Sequence, residues 1–377
     1  MRAWDETEEA LRRQAERRET EHDETMRELV EHGITLDPTN ERRGAGGESA
    51  GDPDAAGAGD MSGEPGTHRH GDTVHASDHA HPHAHSGPDE RPVTGIVGAG
   101  AVGTALGVAL SRAGWPIGAV ASRDAGRRQR FRELVPGARA FAEANALVDD
   151  VELVILAVPD DIVASLAASL RLYAGQAIVH TSGLLGAEVL EPALAAGTQA
   201  GAFHPLVAFA DLDRALEALR GATIAIEGDD ELAAHLGDMA EAIGGVPVRL
   251  APGSKAAYHA AAVLAAGGVI GLLDTIREVA TAIGLDEAGA LSIYLPLLEQ
   301  TVANARTLGI ARSLTGPATR GDAGTIAAHL GTLGDAAPDA LDVYRALLAR
   351  DVRIAQGRGA LSPESAERLR TALATNP

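Results

Sequence analysis

The sequence predicts an α/β domain with a mostly parallel, doubly wound sheet, followed by an all-α domain and preceded by a long polar arm. From residue 92 onward, short apolar runs alternate with amphipathic stretches, a pattern typical of strand–helix units. After Pro252 the strand-like runs stop and helical patterns continue to the C-terminus. We therefore divide the chain into an arm (residues 1–91), an α/β domain (92–252) and a helical domain (253–377).

The arm has little to bury. Residues 1–32 mix acidic and basic side chains and predict a marginally stable charged helix, while residues 40–90 are rich in Gly, Ala, Asp, Ser, Pro and His and are expected to be disordered. Its histidines could bind a divalent metal, or the tract could be a solvated linker that meets metal only adventitiously; they are His68, His70, His75, His79, His81, His83 and His85. We predict no metal site of fixed geometry here.

Composition narrows the class of protein. The 377 residues carry a net charge of -21, which argues against a partner that is nucleic acid or an anionic membrane. The absence of cysteine excludes disulfides, thiol nucleophiles and cysteine-bound metals, and fits a reducing compartment. The first residues are charged and lack the apolar core of a signal peptide, so we expect a cytoplasmic protein.

One apolar segment, residues 256–273, approaches the length of a membrane span. Spanning takes about 20 apolar residues. The segment is shorter, rich in Ala and Gly, and carries His259 near one end. We interpret it as a buried core helix or a dimer-interface helix, and expect no membrane contact.

The α/β domain can be followed element by element. Buried apolar runs predict strands at residues 93–97, 117–121, 153–158 and 177–180, and weaker ones at 202–204, 223–227 and 247–250, with a helix at 101–113 after the first strand. Beyond Pro252, helices are separated at Gly284, Gly309, Pro338 and Pro363.

A glycine-rich turn between the first strand and the first helix carries the clearest motif. Gly98, Gly100 and Gly103 have Gly-x-Gly-x-x-Gly spacing, which suits a tight turn, close approach to a pyrophosphate and close helix–strand packing, respectively. The free N–H groups at the helix N-terminus favour phosphate. The motif predicts a Rossmann-like dinucleotide site, with cofactor-binding residues Gly98, Ala99, Gly100, Ala101, Val102, Gly103, and Val158 and Pro159 at a later strand end.

The end of the second strand indicates which dinucleotide binds. Ser122 and Arg123 stand where an NAD enzyme would place an acid, and Arg127 and Arg128 follow. A hydroxyl and a guanidinium suit a 2′-phosphate, so NADP(H) is favoured over NAD. Asp124 is the competing acid for a ribose, but its position before a helix favours an N-cap.

Two further strand ends carry polar residues at the edge where ligands bind in open α/β sheets. Ser182 and the N–H of Gly183 are placed to hold a substrate oxygen. Asp160 and Asp161 could face a ligand or could merely cap the next helix.

A set of short motifs follows in a fixed order over roughly residues 92–350. They are Gly98-Ala-Gly-Ala-Val-Gly103, Val158-Pro159-Asp160-Asp161, His180-Thr-Ser-Gly183, His204-Pro-Leu206, Glu227-Gly228-Asp229, Tyr258-His-Ala-Ala261, Leu314-Thr-Gly-Pro317, Arg320-Gly-Asp322, Thr325 and His329. As a set, they resemble the predicted oxidoreductases that join a Rossmann-like NADP-binding domain to a helical domain of unknown function, within the 6-phosphogluconate dehydrogenase-like superfamily.

The resemblance implies a reductase or dehydrogenase similar in layout to ketopantoate reductase and pyrroline-5-carboxylate reductase. In the related β-hydroxyacid dehydrogenases a lysine opens the first helix of the second domain and an asparagine follows one turn later; here Lys255 and His259 stand at those positions. Either could donate a proton, and each has a plain alternative: a solvated lysine or a satisfied core histidine. Gly267 and Gly268 replace an asparagine of many family members, which weakens the case for ordinary catalysis.

We therefore expect an NADP-dependent oxidoreductase that reduces a C=O or C=N bond of a small carboxylate, a 2-keto acid such as ketopantoate first, and that forms a homodimer through its C-terminal helices. Lys255 or His259 would be the proton donor, Ser182 and Asn304 would orient the substrate, and Arg320 would bind its carboxylate. The alternative for Arg320, in the stretch LTGPATRGD, is an ordinary turn. The alternative function is a non-catalytic NADP-binding sensor or scaffold whose His-rich arm binds metal or a partner.

Overall fold

The structure, a computed structural model, describes residues 68–70, 73–75 and 91–374. The chain divides into two compact units, Met1–Ala260 and Ala261–Pro377, and each is described by itself. The division falls inside the helix that begins at Lys255, so Lys255, Tyr258 and His259 belong to the first unit.

An eight-stranded sheet forms the centre of the first unit. Its strand order is β10-β9-β8-β7-β6-β3-β4-β5, and every neighbouring pair is parallel except β8 and β9. The predicted α/β class with a mostly parallel sheet is confirmed. The strands are β3 (Thr94–Val97), β4 (Ile117–Ala121), β5 (Arg139–Phe141), β6 (Leu153–Leu156), β7 (Ala177–His180), β8 (Gln199–Pro205), β9 (Thr223–Glu227) and β10 (Val246–Arg249).

Strand β5 was not predicted, because its three residues contain no apolar run and none of them is fully buried. Two short strands in the arm, β1 (His68–His70) and β2 (Thr73–His75), pair antiparallel and were not predicted either. The remaining residues of the predicted charged helix and disordered tract lie outside the described residues.

The central strands are buried on both faces, which explains their continuous apolar runs. All four residues of β3 and all four of β6 are buried. One layer of the core places Ile96 and Ile155 with Phe131, and the other places Val97 and Leu156 with Val163. The helices of this unit are α1 (Ala101–Arg112), α2 (Ala125–Leu134), α3 (Asn145–Val148), α4 (Asp160–Ser169), α5 (Glu191–Leu194), α6 (Leu212–Ala218), α7 (Asp230–Ala242) and the start of α8 (Lys255–Ala265), with a 3-10 turn at Ala187–Leu190.

The second unit is helical throughout its described residues, as the sequence predicts. Ile326, Leu330, Val352 and Leu369 lie in its main core cluster. Its helices, after the end of α8, are α9 (Gly267–Thr281), α10 (Glu287–Leu308), α11 (Ile310–Ser313), α12 (Pro317–Arg320), α13 (Ala323–Ala336), α14 (Ala340–Gly357) and α15 (Pro363–Ala374).

The apolar stretch at α8 and α9 is not a buried core helix, so that part of the sequence interpretation is wrong. Leu264 is 72% exposed and Ile270 is 67% exposed. By length and composition alone, Lys255–Thr281 is apolar enough to cross a membrane, with a mean hydropathy of 1.7. Its role as a dimer interface stays a prediction.

Gly267 and Gly268 are the first two residues of α9, directly after Ala266, which separates that helix from α8. The chain turns at Ala266, whose φ is -106° and ψ is -78°. A side chain at Gly267 would meet nothing within 4 Å in the described part of the chain. Close helix packing inside this chain therefore does not explain that glycine.

Candidate active site

The glycine turn between β3 and α1 is built as the motif predicts. Gly98 has a φ of 108°, and a Cβ there would lie 2.1 Å from the carbonyl oxygen of Ala157. A Cβ at Gly103 would lie 2.0 Å from the carbonyl oxygen of Gly98. At Gly100, by contrast, a Cβ would meet nothing within 4 Å. Two glycines are thus required by the chain itself, whereas the third opens onto empty space.

That space is a cleft of about 600 Å³ along the carboxyl ends of the strands. All the predicted cofactor residues except Gly103 line it, namely Gly98, Ala99, Gly100, Ala101, Val102, Ser122, Arg123, Val158 and Pro159. Gly103 does not, because it packs α1 against β3 and the turn. No side chain caps the N-terminus of α1, so its first N–H groups remain available to an anion. The cleft fits a dinucleotide with its pyrophosphate at Gly100.

The segment after β4 has the arginines that the sequence identified. Asp124 is the N-cap of α2 and accepts a hydrogen bond from the N–H of Arg127 at 3.0 Å, which confirms capping. The backbone hydrogen bond from Arg127 is the main reason that the pKa of Asp124 is lowered. Arg123 and Arg127 both line the cleft.

The loop that follows β7 also reaches the cleft, which Thr181 lines. Lys255 is buried, and its Nζ donates to the carbonyl oxygen of Ser182 at 2.6 Å. The Oγ of Ser182 accepts from the N–H groups of Leu184 and Leu185 at 3.1 and 3.0 Å. The lysine is therefore not solvated. It is hydrogen-bonded to the turn that the sequence predicted to hold a substrate oxygen.

His180, at the end of β7, forms two hydrogen bonds with the same loop. It is fully buried; its Nε2 lies 3.0 Å from the carbonyl oxygen of Gly186, and its Nδ1 accepts from the N–H of Ser182 at 3.2 Å. Because a carbonyl can only accept, Nε2 carries the proton of a neutral ring. Burial lowers the pKa of His180 to about 4, so the ring is neutral at pH 7. Both of its nitrogens are used in hydrogen bonds to the loop.

Glu227 adds a carboxylate to this cluster, and no sequence pattern identified it beyond its place in the family likeness. Register aligns His180 with Ala202, and Ala202 with Glu227, across three neighbouring strands. Its Oε2 accepts from the N–H of Ala187 at 2.7 Å. Burial raises the pKa of Glu227, and burial lowers the pKa of Lys255 while the charge of Glu227 opposes that change.

Two further histidines approach the backbone of Gly183. A Cβ at that glycine would lie 2.4 Å from Nδ1 of His259 and 2.9 Å from Nε2 of His204. His204 donates from Nδ1 to the carbonyl oxygen of Thr181 at 3.0 Å, so its Nε2 is left as an acceptor in the neutral ring, and burial lowers its pKa. Nδ1 of His259 and the hydroxyl of Tyr258 are buried without a hydrogen-bond partner in the described structure. The cluster thus contains two buried polar atoms whose hydrogen-bonding capacity is unused among the described residues.

His204 was missed as a site residue because the sequence shows only a His-Pro pair at the end of a weak strand. Asp160 and Asp161 lie in the first turn of α4, whose N-cap is Pro159, so neither caps that helix by its side chain. The negative charge of Asp160 raises the pKa values of His180, His204 and Lys255, against the lowering that burial causes.

Asn304 and Arg320 lie in the second unit, and both are exposed. Asn304 is on α10, and Arg320 is the last residue of α12. Asp322 caps α13 by accepting from the N–H and the hydroxyl of Thr325 at 3.0 and 2.7 Å. Asp322 is therefore a helix cap, and the substrate role of Arg320 stays a prediction.

Comparisons with known proteins agree with this architecture. A family model described as a Rossmann-like domain matches residues 81–205, and one described as a domain of unknown function, DUF2520, matches residues 222–351. No curated protein matches the chain.

Solved structures share the fold. A protein from Thermotoga maritima is 27% identical, with a TM-score of 0.56, covering 71% of this chain and 99% of its own. A candidate NADP oxidoreductase from Bacteroides fragilis is 23% identical, with a TM-score of 0.58, covering 70% of this chain and 98% of its own. A reductive aminase from Aspergillus terreus, in complex with NADPH and ethyl-5-oxohexanoate, is 18% identical, with a TM-score of 0.56. The match covers 75% of this chain and 99% of the aminase chain. The two family models match in the order that the sequence resembles, a Rossmann-like domain followed by a DUF2520 domain.

Proposed function

We propose that this protein is an NADP(H)-dependent oxidoreductase that reduces a C=O or C=N bond in a small carboxylate. The observation that supports it best is the continuity of the first unit's cleft. The open glycine turn at Gly100 and Thr181 line the same cleft, and the residue after Thr181, Ser182, accepts a hydrogen bond from buried Lys255. The residues that would hold the cofactor and the group that would donate the proton thus lie at the same edge of the sheet.

The cofactor would be held by residues with separate tasks. The N–H groups at the start of α1 and the bare backbone of Gly100 would bind the pyrophosphate, and Ser122 and Arg123 would bind the 2′-phosphate. When bound, NADPH supplies the hydride.

The proton would come from Lys255 or His259. Both lie on the first turns of α8, and the burial that lowers the pKa of Lys255 makes its ammonium a better acid at neutral pH. Ser182 would orient the substrate in the first unit. The orienting role of Asn304 and the carboxylate-binding role of Arg320, both in the second unit, stay predictions. A 2-keto acid such as ketopantoate is the first substrate to try, and cyclic imines are the second because the fold is shared with a reductive aminase.

The test is NADPH consumption by the full chain with a panel of 2-keto acids and cyclic imines. We expect turnover with at least one member, a large loss of kcat in Lys255→Ala, and a raised KM for the carboxylate substrate in Arg320→Ala. Tight NADPH binding without turnover on the whole panel would contradict an oxidoreductase and favour the sensor. Turnover that is unchanged in both variants would contradict the assigned residues.

A further inference from the structure

We propose that Arg128 is a positioning residue that sets the preference for NADP(H) over NAD(H), by holding the Ser122–Arg123 backbone in the conformation that binds a 2′-phosphate. The inference rests on the proposed function, since it concerns how that cofactor is selected. It goes further by assigning the selectivity to a side chain whose hydrogen bonds go to the protein rather than to the cofactor.

The hydrogen bonds of Arg128 support this role. Its Nη1 donates to the carbonyl oxygen of Ser122 at 2.5 Å and to that of Arg123 at 3.0 Å. Arg128 is only half-exposed, whereas Arg123 and Arg127 are exposed. One guanidinium thus fixes two successive peptide groups, which are the ones bearing the side chains that line the cleft.

Further hydrogen bonds hold Ser122 and Asp124 in the same segment. The N–H of Ser122 donates to the carbonyl oxygen of Phe141 on the neighbouring strand at 3.1 Å. Asp124 caps α2 and lies 3.8 Å from Nε of Arg127, so this carboxylate is directed at the helix end and a cation. A ribose 2′-hydroxyl would have to compete with those partners for Asp124, whereas a 2′-phosphate would meet Arg123, which lines the cleft and is not a member of that pair.

The number of arginines that line the cleft also favours a positioning role for Arg128 over direct contact with the phosphate. Two guanidiniums on the cleft suffice for a bidentate contact with one phosphate. Arg128 has its Nη1 occupied by two carbonyls, and it does not line the cleft. Its contribution to phosphate binding should therefore pass through Arg123.

The experiment is a fluorescence titration of the full chain with NADPH and with NADH, for wild type and for Arg128→Ala, Arg123→Ala and the double variant. We expect Arg128→Ala to weaken NADPH roughly tenfold and NADH by less than about twofold, since the loop change touches only the 2′-phosphate side. We expect little further loss when Arg128→Ala is added to Arg123→Ala, because one residue acts through the other. Arg128→Lys should recover part of the preference.

Arg132→Ala is the matched control, because Arg132 is an exposed arginine on the same helix. It should leave both affinities unchanged. Equal weakening of NADPH and NADH in Arg128→Ala would overturn the proposal in favour of a purely structural role, and additive losses in the double variant would overturn it in favour of direct phosphate contact. A wild-type chain that binds neither nucleotide would instead contradict the proposed function itself.

Discussion

The three glycines of the cleft look alike in sequence and differ in what each one does. Gly103 leaves room for a neighbouring carbonyl, whereas Gly100 leaves room for something outside the chain. We therefore expect Gly103→Ala to destabilise the first unit by several kcal/mol, as overpacking against backbone does. Gly100→Ala should fold with an unchanged melting temperature and lose NADPH affinity. Thermal melts and NADPH titrations of both variants separate the two effects.

A lowered melting temperature in Gly100→Ala, or an unchanged NADPH affinity, would contradict this assignment. Gly137→Ala is the control, since a side chain there would also meet nothing within 4 Å and it lies outside the cleft. It should change neither the melting temperature nor the NADPH affinity.

The neutral state of His180 makes folding depend on pH in a defined direction. Its folded pKa of about 4 lies below the ordinary value of 6.5, so below pH 6.5 the unfolded chain takes up a proton that the folded chain does not. Stability from this group is therefore lost as the pH falls from 6.5 toward 4, by about 2 kcal/mol between pH 7 and pH 5. Urea unfolding of wild type and His180→Gln at both pH values measures it.

Glutamine can keep one donor and one acceptor toward the same loop, and it does not titrate. We expect the variant to lose clearly less stability than wild type on going to pH 5. Equal losses in the two proteins would show that His180 does not carry this pH dependence.

At the scale of elements, the polar residues of LTGPATRGD include a helix cap, Asp322, and an exposed cation, Arg320. Asp322 caps α13, so Asp322→Ala should cost about 1 kcal/mol of stability, as lost N-caps do. Asp339, the N-cap residue of α14, makes no side-chain cap hydrogen bond and is the matched control. Calorimetry on both variants checks the difference, and an equal effect at the two positions would contradict it.

Which elements could be predicted depended on how much apolar surface each one buries. Strands β4, β7 and β9 have the predicted bounds, because their buried residues form continuous apolar runs. Strand β5 has exposed and half-buried residues at the edge of the sheet, so no pattern marks it.

The candidate site was predictable only in part. The glycine turn is local in sequence, so its spacing alone located the cleft. The cluster at Ser182 brings together His180, His204, Glu227 and Lys255 from separate elements, and only the strand register and the side-chain contacts reveal that they share one loop. The sequence could suggest a proton donor at Lys255, but not the carbonyl that this lysine binds.

At the scale of the whole molecule, the exposed apolar surface of the second unit predicts a protein partner. Large aliphatic side chains are exposed along α8 to α11, among them Leu264, Ile270, Ile293, Leu297, Val302 and Ile310. Monomeric proteins seldom expose so many such residues together. We expect a homodimer that covers them, with Leu264→Glu plus Ile270→Glu shifting the chain to monomers in sedimentation velocity. Leu194→Glu, at a similarly exposed leucine in the first unit, should leave the dimer intact.

A wild-type chain that sediments as a monomer at all concentrations would contradict the dimer, and so would a double variant that still dimerises.

The central claim is that the first unit binds NADP(H) at its glycine turn, and calorimetric titration of the full chain with NADPH tests it most directly. We expect saturable binding of one NADPH per chain, tighter than NADH and abolished in Gly100→Ala. No heat of binding with wild type, or equal binding by wild type and Gly100→Ala, would contradict the account.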